Sequence, residues 1–163
     1  MIEFLLNQER VQLDGLAPNL SVLDWLRTQK GLAGTKEGCA SGDCGACTVL
    51  LGSMDADGLR YRSVNACLLL LAQVQGQHLL TVEGLTESGD LTLDRLHPVQ
   101  QAMVAYHGAQ CGFCTPGFIM SLTGLYLNHR DYPGDSVVIH ALGGNLCRCT
   151  GYRPILDAAR SLF

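Results

Sequence analysis

The chain has 163 residues, of which 47% are hydrophobic and 16% charged, with a net charge of -4, so it can bury a core and has room for one large or two small domains. An acidic balance (pI about 5.6) gives no basic footprint for nucleic acid. There is no basic start and long apolar run of a secretory signal, and no stretch of the roughly 20 apolar residues that a spanning helix needs; neither nucleic acid nor membrane is an expected partner, and the expected location is cytoplasmic. Eight cysteines in a reducing compartment are poorly explained by disulfides, so metal ligation is the leading account of them.

Along the chain, Ile2 to Leu6 and Val11 to Leu13 are apolar-rich runs around Gln8-Glu9-Arg10 and predict a hairpin. Ser21, with Asp24 at capping-box distance, predicts the start of a helix whose apolar face is Val22, Leu23, Trp25 and Leu26, and Gly31 is its expected stop. A Gly/Cys-rich loop from Gly34 to Cys47 follows. Strands are predicted over Thr48 to Leu51 and Leu59 to Val64 around Asp55-Ala56-Asp57-Gly58, with a last strand at His78 to Val82.

From Gly84 to Asp94 the chain is polar and turn-rich, as a linker would be, and beyond it the periodicity turns helical. One helix is predicted from His97-Pro98-Val99 to His107, with Val99, Met103 and Tyr106 on one face. Thr115 and Pro116 read as the cap and first residue of a second, with Phe118, Ile119, Leu122, Leu125 and Tyr126 as its stripe. A short helix at Ser136 to Leu142 and a last one from near Pro154 complete an all-α half. The fold class is therefore α+β, a β-rich half before an α-only half, divided at 1–84 and 85–163, each half holding four cysteines.

The first quartet is Cys39, Cys44, Cys47 and Cys67, a C-x4-C-x2-C run with a distant fourth, the spacing of plant-type [2Fe-2S] proteins. Gly38, Gly42 and Gly45 would let its backbone turn and bring N–H groups to sulfur, which matters because two ferric ions, two sulfides and four thiolates sum to about -2. The second is Cys111, Cys114, Cys147 and Cys149, a C-x2-C and a C-x-C, with predicted helix N-termini after Cys114 and Cys149 whose N–H groups favour an anion. Two [2Fe-2S] clusters are the expected cofactors and all eight cysteines the expected ligands. The alternative is a structural module with two four-cysteine zinc sites, which uses the same residue types; the crowding of three ligands into the Cys39 to Cys47 loop speaks against it. Lys36 and Arg148 flank cluster cysteines and either steady negative charge, meet a partner or are simply solvated. The five histidines show no ligand spacing and read as surface or capping residues, and no nucleophile triad, paired carboxylates or phosphate loop is present.

Gly34-Thr35-Lys36-Glu37-Gly38-Cys39, Gly42 to Val49 and Asn65-Ala66-Cys67 resemble the first-cluster motif of the molybdenum hydroxylases, the xanthine dehydrogenase and aldehyde oxidase family. His97 to Met103, Gln110 to Gly117 and Gly144 to Tyr152 resemble its second. The resemblance spans nearly the whole chain and is nearest to the iron-sulfur portion of bacterial xanthine dehydrogenase small subunits. It implies a plant-ferredoxin β-grasp domain followed by a four-helix bundle with its own [2Fe-2S] cluster. It also implies a relay: a molybdopterin cofactor on a large partner subunit oxidises the substrate, a purine by resemblance, and electrons pass through the helical-half cluster and the ferredoxin-half cluster to FAD, on a partner subunit or domain, and on to NAD or another acceptor. On that reading Gln110 and Cys149 lie against the pterin, and this chain carries no substrate-converting site. Many relatives of this kind continue into a flavin domain, so the chain is expected to be either a stand-alone iron-sulfur subunit or one piece of a longer product.

Overall fold

The computed structural model describes residues 1–56, 58–86 and 92–163. Its elements run β1 (Ile2–Leu6), β2 (Glu9–Leu13), α1 (Val22–Thr28), β3 (Thr48–Asp55), β4 (Gly58–Asn65), β5 (His78–Leu80), α2 (Pro98–Ala105), α3 (Thr115–Asn128), α4 (Asp135–Leu142) and α5 (Arg153–Arg160). Short 3-10 turns lie at Leu71–Val74, Val82–Leu85 and Leu93–Arg95. The α+β class and the order of the two halves are as expected.

The strands form one mixed sheet in the order β2-β1-β5-β3-β4. All neighbours are antiparallel except β1 and β5, which run parallel, with Leu5 opposite His78. The first turn falls earlier than expected, at Asn7-Gln8, because Asn7 adopts a left-handed φ of 53° and its Oδ1 accepts the Thr81 amide at 2.9 Å. β3 and β4 extend past the expected strands and pair down to Asp55 and Gly58; Asp57 lies outside the described residues. β5 is shorter than expected, since the chain turns into 3-10 geometry from Val82. The expected linker from Gly84 to Asp94 is described only at its ends; residues 87–91 lie outside the described residues.

One face of the sheet is closed by α1. Ser21 caps that helix, its hydroxyl accepting the Asp24 amide at 3.0 Å, and Trp25 and Leu26 pack with Phe4, Leu6, Val49, Leu51 and Leu79 in a core where the Phe4 and Trp25 rings meet edge-on at 5.5 Å. The helix ends at Thr28, a turn before Gly31, which takes the left-handed φ of 70°. The other face is closed by α3. Every residue from Gly117 to Leu125 is buried, as a helix apolar on all sides must be, because α3 packs β3 and β4 on one side and α2 and α4 on the other. Gly124 allows the approach: a Cβ there would lie 2.8 Å from Leu50 Cδ2. Leu50, Leu80 and Met120 form the small apolar layer between the halves.

In the second half α2 packs on α5 and α3, and α4 on α3 and α5, around Val99, Met103, Phe118, Leu122, Val138 and Ile155. Tyr106 does not share the buried face of Val99 and Met103. It is the C-cap residue of α2, beyond the last helical turn, and is exposed. Arg160 of α5 holds Asp135 at the start of α4 through Nε at 3.0 Å and Nη2 at 2.7 Å.

Candidate iron-sulfur sites

The loop from Cys39 to Cys47 folds around its own sulfurs. Cys39 Sγ accepts the amides of Ser41 at 3.4 Å and Asp43 at 3.3 Å; the Ser41 backbone N–H first, then the Ser41 side chain and Cys44, bring the Cys39 thiol down to about 6. Gly38 is a glycine because a Cβ there would sit 2.7 Å from Cys44 Sγ. Cys47 sits in the sheet-half core at 2% exposure, beside Cys67 from the segment after β4. Burial pushes its thiol up to about 11. The loop is braced from behind, with Arg27 Nη1 donating to the carbonyls of Ala33 at 3.3 Å and Thr35 at 2.9 Å. Lys36 Nζ donates to the Ala33 carbonyl at 2.7 Å, so it serves the loop rather than a sulfur.

The second quartet is gathered from the ends of helices. Cys114 is itself the N-cap of α3, with Thr115 and Pro116 inside the first turn, one residue earlier than the sequence suggested. Its carbonyl accepts the Phe118 amide at 3.2 Å. Cys114 meets Cys147, and both pack against the helical core; burial pushes the Cys114 thiol up to about 12. Burial pushes Cys147 up as well, but the Thr150 hydroxyl at 3.1 Å and amide at 3.4 Å outweigh it and bring that thiol down to about 7. Cys111 and Cys149 form the other pair, and their hydrogen bond raises the Cys149 thiol. Both are exposed, as are Gln110 and Arg148.

The last helix begins just after Cys149, as expected. α5 starts at Arg153, capped by Tyr152 in a left-handed conformation of φ 66°, and the donors that reach Cys147 Sγ come from Thr150. Tyr152 acts through its hydroxyl, which accepts the Cys147 amide at 3.0 Å. A left-handed φ is uncommon for so bulky a residue, and that backbone turns the ring back over the Cys147 segment. Thr150, Tyr152 and Asn145 stood in the motif without a role, and no spacing rule marks a hydroxyl or amide as a sulfur's neighbour. His97 is the expected capping residue, accepting the Val99 amide at its Nδ1 (3.3 Å). His78 is neither surface nor cap: it is half-buried between the Tyr61 hydroxyl and the Asn7 carbonyl, each at 2.8 Å.

Both sites share one plan. An inner pair, Cys47 with Cys67 or Cys114 with Cys147, packs against a hydrophobic core, and the other pair, Cys39 with Cys44 or Cys111 with Cys149, stays outside that core and in the second site is exposed. Among the described residues no three His, Cys, Asp or Glu side chains converge where a single ion could sit. Four cysteines in each half are the number that a [2Fe-2S] cluster would need as ligands. The donor set, the N–H groups aimed at sulfur and the buried Thr115 Oγ beside Cys114, which has no protein partner, all fit a sulfur-rich anion.

Comparison with known proteins bears on both halves. Residues 4–72 match the family described as "2Fe-2S iron-sulfur cluster binding domain" and residues 81–160 the family described as "[2Fe-2S] binding domain". Quinoline 2-oxidoreductase from Pseudomonas putida 86 superposes with a TM-score of 0.81 at 33% identity, over 98% of this chain and 89% of that one. The chain belongs to the iron-sulfur part of the molybdenum hydroxylase family, the xanthine dehydrogenase and aldehyde oxidase group. The aldehyde oxidoreductase of Desulfovibrio gigas superposes with a TM-score of 0.83 at 37% identity, over 99% of this chain and 17% of that one. Xanthine dehydrogenase 1 of Arabidopsis thaliana is 50% identical over 93% of the chain, and aldehyde oxidase 2 of Mus musculus 45% over 98%. The chain spans only 11% and 12% of the length of those two relatives.

Proposed function

We propose that this chain is the electron-relay portion of a molybdenum hydroxylase of the xanthine dehydrogenase kind, with the substrate-converting site on a molybdopterin-binding partner and a purine as substrate. The observation that carries the reading is the gathering of eight thiols into two sets of paired sulfurs, one in each family-matched half. The first domain, 1–84, is then a β-grasp ferredoxin domain and the second, 85–163, a four-helix bundle. Cys39 with Cys44 and Cys47 with Cys67 would each hold one iron of the first cluster; Cys111 with Cys149 and Cys114 with Cys147 would do so in the second.

Bound [2Fe-2S] clusters each store one electron, which lets this chain stand between molybdopterin and FAD, with NAD or another acceptor beyond. The chain's own residues prepare that chemistry. Ser41, Asp43 and Thr150 offer N–H and O–H groups to sulfur, which favours the added negative charge of reduction. Cores under Cys47 and Cys114 keep water from the inner pairs, while the exposed edge of Cys111, Cys149 and Gln110 is the natural face toward the pterin. On the same reading the relay works in the cytoplasm.

Anaerobically purified protein should be coloured and contain iron and acid-labile sulfide; a colourless sample holding two zinc ions would instead establish the zinc-stabilised module. Gln110→Ala should assemble both clusters yet slow reduction by substrate in the reconstituted complex. Unchanged reduction would remove Gln110 from the pterin face.

A further inference from the structure

Asn145 lies where the two sites meet. It is 4% exposed. Its Nδ2 donates to the Gly45 carbonyl at 3.0 Å and to Thr48 Oγ1 at 3.1 Å, and its Oδ1 accepts from Ser121 Oγ at 2.7 Å. One side chain thus ties the first cysteine loop, β3 and α3 together. The joint is tight: a Cβ on Gly45 would overlap the Gly144 carbonyl, and one on Gly117 would overlap the Gly45 carbonyl. Apolar contact alone could fill such a seam, but it slides, whereas hydrogen bonds fix distance and direction.

What is fixed is the next residue. The Leu146 amide donates to the Cys44 carbonyl at 2.9 Å, although the Leu146 side chain is 55% exposed and does little to anchor it. A continuous route therefore leaves Cys44 Sγ through its own Cβ, Cα and carbonyl, crosses that hydrogen bond, and runs through Leu146 to the backbone and Sγ of Cys147. Cys44 belongs to the first quartet and Cys147 to the second.

We propose that Asn145 is a positioning residue for electron exchange between the quartets, holding the Leu146 amide on the Cys44 carbonyl so that the sites are joined through bonds rather than across a gap. The inference rests on the reading of both quartets as cluster ligands. The exchange balances by itself: one electron lost at one quartet is gained at the other, and no proton or third reactant takes part. Electronic coupling falls more steeply across van der Waals space than through bonds, so loosening this bridge slows exchange without changing which sulfurs hold iron.

The test compares the iron-loaded wild-type chain with Asn145→Ala and Ser121→Ala. Iron and acid-labile sulfide content, the two reduction potentials, hydrogen exchange at the Leu146 amide and the rate of electron equilibration after photoreduction are measured on each. Content and potentials should stay unchanged, the amide should exchange faster, and equilibration should slow about 10-fold in Asn145→Ala, the low end of what losing an outer-shell partner costs, and less in Ser121→Ala. Equilibration at the wild-type rate, whether or not the amide is loosened, overturns the inference. If Asn145→Ala fails to assemble, Ser121→Ala, which removes one of the three hydrogen bonds, decides by the same criteria. A wild-type chain that takes up no iron would overturn the cluster reading, and the inference with it.

Discussion

The two cysteine sites reach the same arrangement of an inner and an outer pair by different routes. In the sheet half, three cysteines lie in one loop whose amides and glycines shape it locally, and the innermost sulfur is already part of a core with Trp25. In the helical half, the pairs join Cys111 and Cys114 to Cys147 and Cys149 across the whole of α3 and α4, and the outer pair is exposed. Closing the longer loop costs more chain entropy, and less of the site is held by apolar packing. The first site is a pocket the fold makes; the second is expected to lean more on a bound metal.

Cluster removal should break this comparison most visibly. Chelation under reducing conditions is expected to lower the helical far-ultraviolet signal and expose the second half to protease. The emission of Trp25, the single tryptophan, should stay that of a buried ring. Unaltered protease resistance would show that the helical half stands without its cluster.

Gly45→Ala should be next in size. Gly45 adopts φ 68° and touches the second half, so the substitution combines left-handed strain with overlap and should cost about 3 kcal/mol in an unfolding titration. It should also disturb both paramagnetic signals of the reduced protein. A change confined to the first would show that the seam yields.

A smaller contrast sharpens the difference in burial. In metal-free protein Cys47→Ser places a hydroxyl in the core and should cost about 2 kcal/mol, whereas Cys111→Ser at the surface should stay within about 0.5 kcal/mol. In loaded protein each should remove only its own cluster's signal; loss of both from Cys47→Ser would mean that the sites assemble together.

The smallest expected effect is of pH. Burial lowers the pKa of His78 in the sheet half and of His97 in the helical half. As pH falls through about 6.5 the unfolded chain takes up protons that the folded chain refuses, so stability drops. His97 also loses its cap on protonation, because Nδ1 accepts the Val99 amide. Denaturant midpoints at about pH 7.5 and about pH 5.5 should therefore differ, and His97→Gln should narrow the gap. An equal gap in that variant would assign the effect to His78.

Much of this was legible in residue order. Ser21 with Asp24 marked α1, the stripe of Phe118, Ile119, Leu122 and Leu125 marked α3, and the cysteine spacing marked two quartets, because caps, apolar periods and ligand loops are short-range patterns. The position of the first turn was not, since Asn7 is held by Thr81 from the far end of the sheet half. Nor was the role of His78 between Tyr61 and Asn7, which no local pattern announces.

By itself the sequence determined which sulfurs are available, which half each belongs to and which helices and strands carry them, for these follow from neighbours a few residues apart. Only the tertiary structure decided which sulfurs pack against a core, which lie exposed and what joins the two sites. Those depend on α3 lying between sheet and helices, and on Asn145 meeting Gly45, Thr48 and Ser121 across distances in the chain that no periodicity records.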